Sequence, residues 1–572
     1  MPNGFPMSLL PVLLAASLSA APPPPSWAFA LPAQTKVRPE RPPTSGEASV
    51  VLGAARGECE GFQVLAPAGL SVKLDVPALR GPGVAIKPRA FREAFIRIET
   101  PSNGKGDRGL WPDPLIPLDD PAFIGADDPF RATPDAPYVA YLELCVPEGQ
   151  APGTYRGQVR LTAPGKSEAV VQVTLEVWTF QLPATSSLPN SFGLSLYSVA
   201  KGHKLDPASP ESKALLRRYA ESLLRHRISA QGLSMEPLAV RTERGELTVD
   251  FTAFDAEVGD FLSGRVLPNG ARFTSIEIKE NPKTVTPRER GQYWQKVLEH
   301  FREKGWKAQP FFYAKDEPKP QDYPTVLAQA ARLHEARGVP VLVTSPFEPS
   351  MAKAADILCP NLNCFFTRSG AQTCKNVQPM AQLRQKVGPE KNIWWYQSCN
   401  SHGCTGGPTS DVGVEQAYQD WASYMVDHPA LSNRAMGSLA FLVGVGGELY
   451  FDTVAAYQGK NPWESLFEFG GNGDGTFFYP GAPALTGQKR HAPVESLRLK
   501  HIRDGLEDFE YLTLLASGGE SGLARELARS WTPSGYELTL DPAAWAKIRE
   551  RAASRLKTLA VKADGTAASR KP

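Results

Sequence analysis

Two carboxylates stand side by side in the stretch FFYAKDEPKP, residues 311–320. Asp316 and Glu317 close an apolar, strand-like run and are followed at once by Pro318. Adjacent carboxylates raise each other's proton affinity, so one can keep a proton near neutral pH and serve as a general acid. Neighbours on a strand point to opposite faces, so both reach one site only where the strand end bends or bulges. The competing account is a solvated strand-to-helix turn with an acidic helix start. The choice between them depends on what other segments bring to the same place.

Several of those segments end in aromatic and amide side chains. NIWWYQSCN leaves Trp394, Trp395 and Tyr396 at its exit, GELYFDT leaves Tyr450 and Phe451, and Asn361 and Asn363 follow ADILCP. An aromatic ring stacks on the C–H face of a sugar, while amide and phenol groups bond its hydroxyls. Taken singly, each aromatic is core. Together, beside an acid pair, they read as a carbohydrate cleft.

The elements that must position these residues fall into two regions. From about Ser49 to Pro183 the chain reads as all-β. VVQVTLEVW alternates strictly, with Val171, Val173, Leu175 and Val177 on one face and Gln172, Thr174 and Glu176 on the other, the period-two mark of a half-buried strand. YVAYLELCVPEGQAPGTYRGQVRLTA adds two strands around a Pro/Gly-rich turn, and a β-sandwich accommodates such short strands. From Asn190 onward, helical periodicity in ESKALLRRYAESLLRHR, RERGQYWQKVLEHFREKGW and DYPTVLAQAARLHEARG alternates with short strands such as QPFFYA and PVLVTS. Repeated β-then-α units without a dinucleotide fingerprint favour a (β/α) barrel over a doubly wound sheet. Strand C-terminal ends in a barrel face the active-site mouth, which is where Asp316 and Glu317 fall. The expected fold is therefore multidomain, β followed by α/β. It comprises a signal peptide and linker at 1–30, a β-sandwich at 31–185, a TIM-like barrel at 190–517 and a helical tail at 518–572, frayed after Lys557.

Composition excludes several functions. The 572 residues carry 62 basic and 60 acidic side chains, with no basic block to suit nucleic acid. The apolar core near Ser8–Ala20 resembles a secretory signal and is too short to span a bilayer. Cleavage after Ala20, Ala21 or Ala30 would leave a secreted or periplasmic protein with no membrane insertion. Seven cysteines in an exported chain permit disulfides and leave at least one thiol free. Cys59 and Cys145, both in strand-like runs of one domain, are expected to pair. CNSHGC (399–404) offers Cys399, His402 and Cys404 to a metal, but no second ligand pair has zinc spacing, so a short-loop disulfide or free thiols is the reading. GKGDRG (104–109) leads into LWPDPL and not a helix, so it is a surface loop and no phosphate site. GNGDGT (471–476) holds one acid, too few for a calcium cage, and reads as a turn. No cofactor or metal is expected.

The region from about Asn190 to Leu515 resembles the catalytic domain of glycoside hydrolase family 123. The matching pieces are AKDEP, IWWYQSC, GELYFD, NPWESLFEFGGNGDGTFFYPG and ESLRLKHIRDGLEDFEYLTLL. GECEGFQV, WPDPLIPL and VPEGQAPGTYRGQV resemble the sandwich that precedes this barrel in such proteins. The resemblance implies a retaining β-N-acetylgalactosaminidase acting on terminal β-linked N-acetylgalactosamine or a similar 2-acetamido sugar. Catalysis would be substrate-assisted, with the acetamido oxygen as nucleophile. Glu317 would protonate the leaving oxygen, Asp316 would orient the acetamido N–H, and Tyr396 would bond the acetamido carbonyl. Trp395, Asn363 and Tyr450 are the further substrate-binding candidates. Two positions depart from the pattern: Lys315 precedes the acid pair where an uncharged residue is expected, and Phe451 follows Tyr450 where a tryptophan is usual. The alternative is a carbohydrate-binding or cell-surface protein on an inactive barrel, which Lys315 filling the cleft would favour. Arg498, Arg503 and Asp508 are read as bracing the last helix on the barrel.

Overall fold

The computed structural model describes residues 26–123, 135–233, 236–281, 283–334, 339–370, 374, 377–388, 391–402 and 416–568. Most of the expected leader and Cys404 lie outside them.

Two sheets form the N-terminal region. One has four strands, ordered Ser49–Arg56, Ala169–Gln181, Gly153–Thr162, Lys73–Asp75. The alternation read in the sequence is the observed one: Val171, Val173, Leu175 and Val177 are buried, while Gln172 and Glu176 are exposed. Their inner face shares a core with Phe62, Val64, Leu142 and Leu144 of the second sheet. Each such side chain contributes about 1.5–3 kcal/mol when fully buried. The second sheet has seven strands, and five of them, including Cys59–Ala66, Tyr138–Cys145 and Gly109–Pro117, come from the N-terminal region. Cys59 and Cys145 face each other across an antiparallel ladder and form the expected disulfide, with Cα atoms 3.9 Å apart. Cys364 pairs with Cys374, Cys399 is also disulfide-bonded, and Cys359 is a buried free thiol.

The remaining two strands of that sheet, Ala492–Ser496 and Phe478–Gly481, come from the far side of the chain. Glu495 and Ser496 pair with Leu115 and Pro114. The strand runs directly into the helix Leu497–Ser517, capped by the Ser496 side chain. The helix is buried nearly all round, and its charges are paired. Arg498 binds Asp113, Lys500 and Arg503 bind Glu143, and Arg434 grips Asp508 at 2.6 and 2.7 Å. These residues are structural as expected, but Arg498 and Arg503 brace the helix on the N-terminal sheet and not only on the barrel.

Eight parallel strands make the barrel, in sequence order: Asn190–Gly193, Ala230–Gln231, Ser275–Glu277, Gln309–Lys315, Val341–Thr344, Ile357–Cys359, Asn392–Tyr396 and Gly447–Tyr450. Every ladder between neighbours is parallel, and the eighth strand pairs back onto the first. Strands two and three share no ladder. Their leading residues Ser229 and Thr274 bridge the seam, hydroxyl to hydroxyl at 2.9 Å, so the barrel is nearly closed. Phe311, Leu342, Ile357, Trp394 and Leu449 fill its interior. The expected helices surround it: Pro210–Arg225, Arg290–Glu303 and Tyr323–His334. The first shows why such segments are helical. Ser209 caps it, Pro210 opens it, and Leu215, Leu216, Tyr219 and Leu223 make one buried stripe. The C-terminal helix, Pro542–Ala568, runs past Lys557, where fraying was expected, and Arg549 ties it to Glu58 and Glu60. No helix among the described residues is long and apolar enough to cross a membrane.

Among the described residues one buried acid has no hydrogen-bond partner. Glu93, on the strand Arg89–Ile98, is buried with neither carboxylate oxygen hydrogen-bonded. Burial and nearby Asp113 push its pKa up to about 8, against the pull of Lys36. A folded-state pKa above the unfolded value favours folding at low pH and loses that contribution as pH rises. The window runs from the ordinary value of 4.5 to about 8. Glu93→Gln should therefore be more stable than the wild type at pH 8, by on the order of 2 kcal/mol. At pH 4 the two should be nearly equal. Melting temperatures at the two pH values check this, and an equal gap at both refutes it.

Candidate active site

The acid pair sits at the C-terminal end of the fourth barrel strand, and the strand end is irregular there. Tyr313 pairs with Leu342, but Lys315, two residues on, pairs with the next residue, Val343. This bulge supplies the bend that two adjacent carboxylates need to face one space. The backbone then turns sharply, with Glu317 at φ +40°, a left-handed conformation that costs a non-glycine residue energy. Such strain persists where surrounding contacts impose it. Here the Glu317 N–H donates to Thr344 Oγ1 at 2.9 Å, which pins the turn to the fifth strand.

The two carboxylates have different partners. Asp316 Oδ1 accepts from the Tyr313 hydroxyl and the Thr344 hydroxyl, each at 2.8 Å. Glu317 Oε1 accepts from the Tyr396 hydroxyl at 2.6 Å. Burial, together with the facing carboxylate, holds both phenols well above their ordinary pKa, so each stays a proton donor. Tyr313, Asp316, Glu317, Thr344 and Tyr396 line a cavity of about 670 Å³, a volume suited to a small sugar or ligand. Lys315 is exposed and is not part of its lining.

The other sequence candidates lie elsewhere. Trp395 is fully buried outside the barrel, edge-on to Phe365 at 5.9 Å. Strand alternation turns Trp394 and Tyr396 inward and Trp395 outward. Trp394 itself packs in the barrel interior against Phe311. Asn363 is buried and its side-chain amide donates to the Ser401 carbonyl at 3.0 Å, so it fastens a loop. Tyr450 is buried behind the cavity wall, stacked on Phe477 at 4.9 Å. Its hydroxyl donates to Asp474 Oδ1 at 3.0 Å. Tyr396, expected to meet an acetamido carbonyl, is here the partner of Glu317.

Sequence reasoning missed Asp474, Phe469, Tyr313 and Thr344. Asp474 does sit in the turn that GNGDGT was read as, between two glycines of positive φ, and it also lines the cavity. Burial raises its pKa to about 6, against the hydrogen bonds from the Cys399 N–H and the Tyr450 hydroxyl. The paired glycines were the available signal. No group of three or more His, Cys, Asp or Glu among the described residues is arranged to hold a metal ion. A second cavity, of about 550 Å³, lies where the N-terminal sheet meets the base of the barrel. Its charges, such as Arg89, Glu143 and Arg503, pair with one another.

Fold and site together define a class: a barrel protein with paired carboxylates at strand C-terminal ends, the arrangement that acid–base hydrolysis of glycosides uses. Residues 288–515 match the family model described as the glycoside hydrolase 123 catalytic domain. Over that stretch the chain is similar to the catalytic domain of glycoside hydrolase family 123. A family 123 glycoside hydrolase from Clostridium perfringens, described for glycolipid glycan hydrolysis, shares its fold with a TM-score of 0.60 at 15% identity, covering 94% of this chain and 98% of that one. A family 39 glycoside hydrolase from Bacteroides cellulosilyticus aligns with a TM-score of 0.31 at 10% identity, over 81% of this chain and 82% of the other. A Bacteroides ovatus GH5 xyloglucanase gives 0.28 at 9% identity, over 80% and 98%. No curated protein matches the sequence.

Proposed function

We propose that the protein is an exported hydrolase that removes terminal β-linked N-acetylgalactosamine, or a similar 2-acetamido sugar, with retention and with the substrate's own acetamido group as nucleophile. The observation that carries this reading is the unequal anchoring of two adjacent carboxylates on one cavity. Asp316 is held at Oδ1 by two hydroxyls, and its other oxygen accepts no hydrogen bond from the described residues. That leaves an acceptor of fixed direction for an acetamido N–H. Among the described residues the Glu317 carboxylate accepts only from the Tyr396 hydroxyl, and Glu317 is the proton donor.

In the first step Glu317 gives its proton to the glycosidic oxygen as the bond from that oxygen to the anomeric carbon breaks. The acetamido carbonyl oxygen bonds to the anomeric carbon from the opposite face. Asp316 accepts the N–H and stabilises the positive charge that spreads over the new ring. In the second step water attacks the same carbon, Glu317 takes its proton, and the acetamido group is restored. Two inversions give retention, and no protein nucleophile is required.

The domain division and export belong to the same proposal: a leader, a sandwich to about residue 185, the TIM-like barrel and a helical tail. The strand Phe29–Pro32 pairs with the strand Cys59–Ala66, so cleavage after Ala20 or Ala21 would leave it whole. The exposed position of Lys315 removes the specific support for an inactive, binding-only barrel. Nitrophenyl β-glycosides of N-acetylgalactosamine, N-acetylglucosamine, galactose and glucose test the reading. Cleavage is expected only for 2-acetamido sugars, with inhibition by a thiazoline analogue of the cyclic intermediate. Equal cleavage of galactose and N-acetylgalactosamine would remove the acetamido group from the mechanism.

A further inference from the structure

At the mouth of the cavity stand two phenylalanines with exposed rings. Phe451 follows the eighth barrel strand and is 43% exposed, and Phe469 is 64% exposed. Both line the cavity that holds Asp316 and Glu317. Their rings meet edge to face, with centroids 5.6 Å apart and planes at 80°. Phe451 rests against Gly475, where an added Cβ would come within 2.5 Å of the ring.

The backbone beneath Phe469 is unusual. Phe467–Glu468 and Gly471–Asn472 form a hairpin in which Glu468 pairs with Gly471, leaving Phe469–Gly470 as a two-residue loop. Both loop residues have positive φ, +50° and +94°. Loops of this geometry take Asn-Gly or Gly-Gly, because a bulky side chain is disfavoured in the left-handed region. Phe469 breaks that rule while most of its ring lies in solvent, so burial does not compensate for it. The hairpin is also firmly held. Asn472 donates from its side chain to the Thr100 carbonyl at 2.9 Å and from its backbone to Ser102 Oγ at 2.8 Å. A strained, exposed, well-anchored aromatic beside an acid pair is the pattern of a residue kept for binding.

We infer that Phe469, with Phe451 supporting it, is a platform for the sugar on the leaving-group side of the scissile bond. The inference rests on the hydrolase reading above. Glu317 must protonate the oxygen that joins the terminal sugar to that neighbour, so the neighbour lies at the cavity mouth beside it. Neither phenyl ring has a polar atom, so the contact suits the C–H face of a pyranose. The platform selects a substrate with a ring in that position over one without.

The test compares wild type, Phe469→Gly and Phe469→Asn on two substrates: a β-linked disaccharide ending in N-acetylgalactosamine, and the methyl β-glycoside of the same sugar. The ratio of kcat/KM values, disaccharide over methyl glycoside, should fall about 3- to 10-fold in both variants. Both variants should melt higher than the wild type, because glycine and asparagine fit the loop. A purely structural phenylalanine would lower the melting temperature and leave the ratio alone, and either result overturns the platform. If the wild type cleaves neither substrate, the hydrolase reading falls first. If it cleaves both and the ratio does not move, only the platform falls.

Discussion

Glutamine at position 317 should lower kcat/KM on an unactivated β-linked oligosaccharide by on the order of a hundred-fold or more, while sparing much of the first step on nitrophenyl glycosides. An acid that protonates the leaving oxygen matters least when the leaving group is already good. The substitution keeps an oxygen for the Tyr396 hydroxyl, which donates to Glu317 at 2.6 Å, so the site should hold its shape. Asp316→Asn should behave differently and slow both substrates alike. In the proposed mechanism its carboxylate acts on the acetamido group and on the charge that develops there, whatever leaves. An amide at this position also disturbs the two hydroxyls that now donate to Oδ1. Kinetics of both variants on both substrates, with folding verified by circular dichroism, decide the matter. The same leaving-group dependence in the two variants would falsify this division of labour.

Removing the guanidinium of Arg498 should cost about 3–5 kcal/mol of stability, the usual penalty for breaking a buried ion pair from one side. Arg498 is fully buried and binds Asp113 through Nε and Nη2. It also donates to the carbonyls of Tyr424 and Gly473 through Nη1, and to Thr476 through Nη2. Arg498→Met leaves Asp113 with only the Tyr479 hydroxyl among these groups, at 2.7 Å. Lysine would restore the charge but not the fork that reaches four partners at once, so Arg498→Lys should recover only part of the loss. Adding Asp113→Asn to Arg498→Met should recover part as well, because the orphaned charge is gone. Urea titration of the three variants measures this, and a loss below about 1 kcal/mol for Arg498→Met would show that the pair is not what holds the helix.

Much of the scaffold was legible because local pattern and burial agree. The strict alternation over Val171–Val177, the helical stripes and the apolar strand ends each reappear in the structure. The requirement for a bend at Asp316 and Glu317 also followed from strand geometry, and the register shift after Tyr313 supplies it. Trp395 shows where such reasoning stops. A barrel strand is buried on both faces, so NIWWY has no polar alternation to mark its inner side. Placing Tyr396 in the site fixes Trp394 inward and Trp395 outward, an inference that was available but depends on trusting one residue. Thr344 lies 28 residues from Asp316 and reaches it only because the fourth and fifth strands are neighbours. No local signal marks such a hydroxyl. The strands 478–481 and 492–496 were illegible for the same reason, since their ladder partner lies near residue 115.

That last ladder bears on how such a protein can change over generations. The stretch that matches the family model, 288–515, begins after three of the eight barrel strands and ends inside a helix whose charges are met by the N-terminal sheet. Moved alone into another gene, it would carry an open sheet edge and a two-stranded ribbon too small to stand by itself. It would also bring Arg498 and Arg503 without Asp113 and Glu143. Recombination can therefore swap this enzyme's chemistry only by transferring both halves in one crossover, and the N-terminal sheets travel with the barrel as a condition of its inheritance.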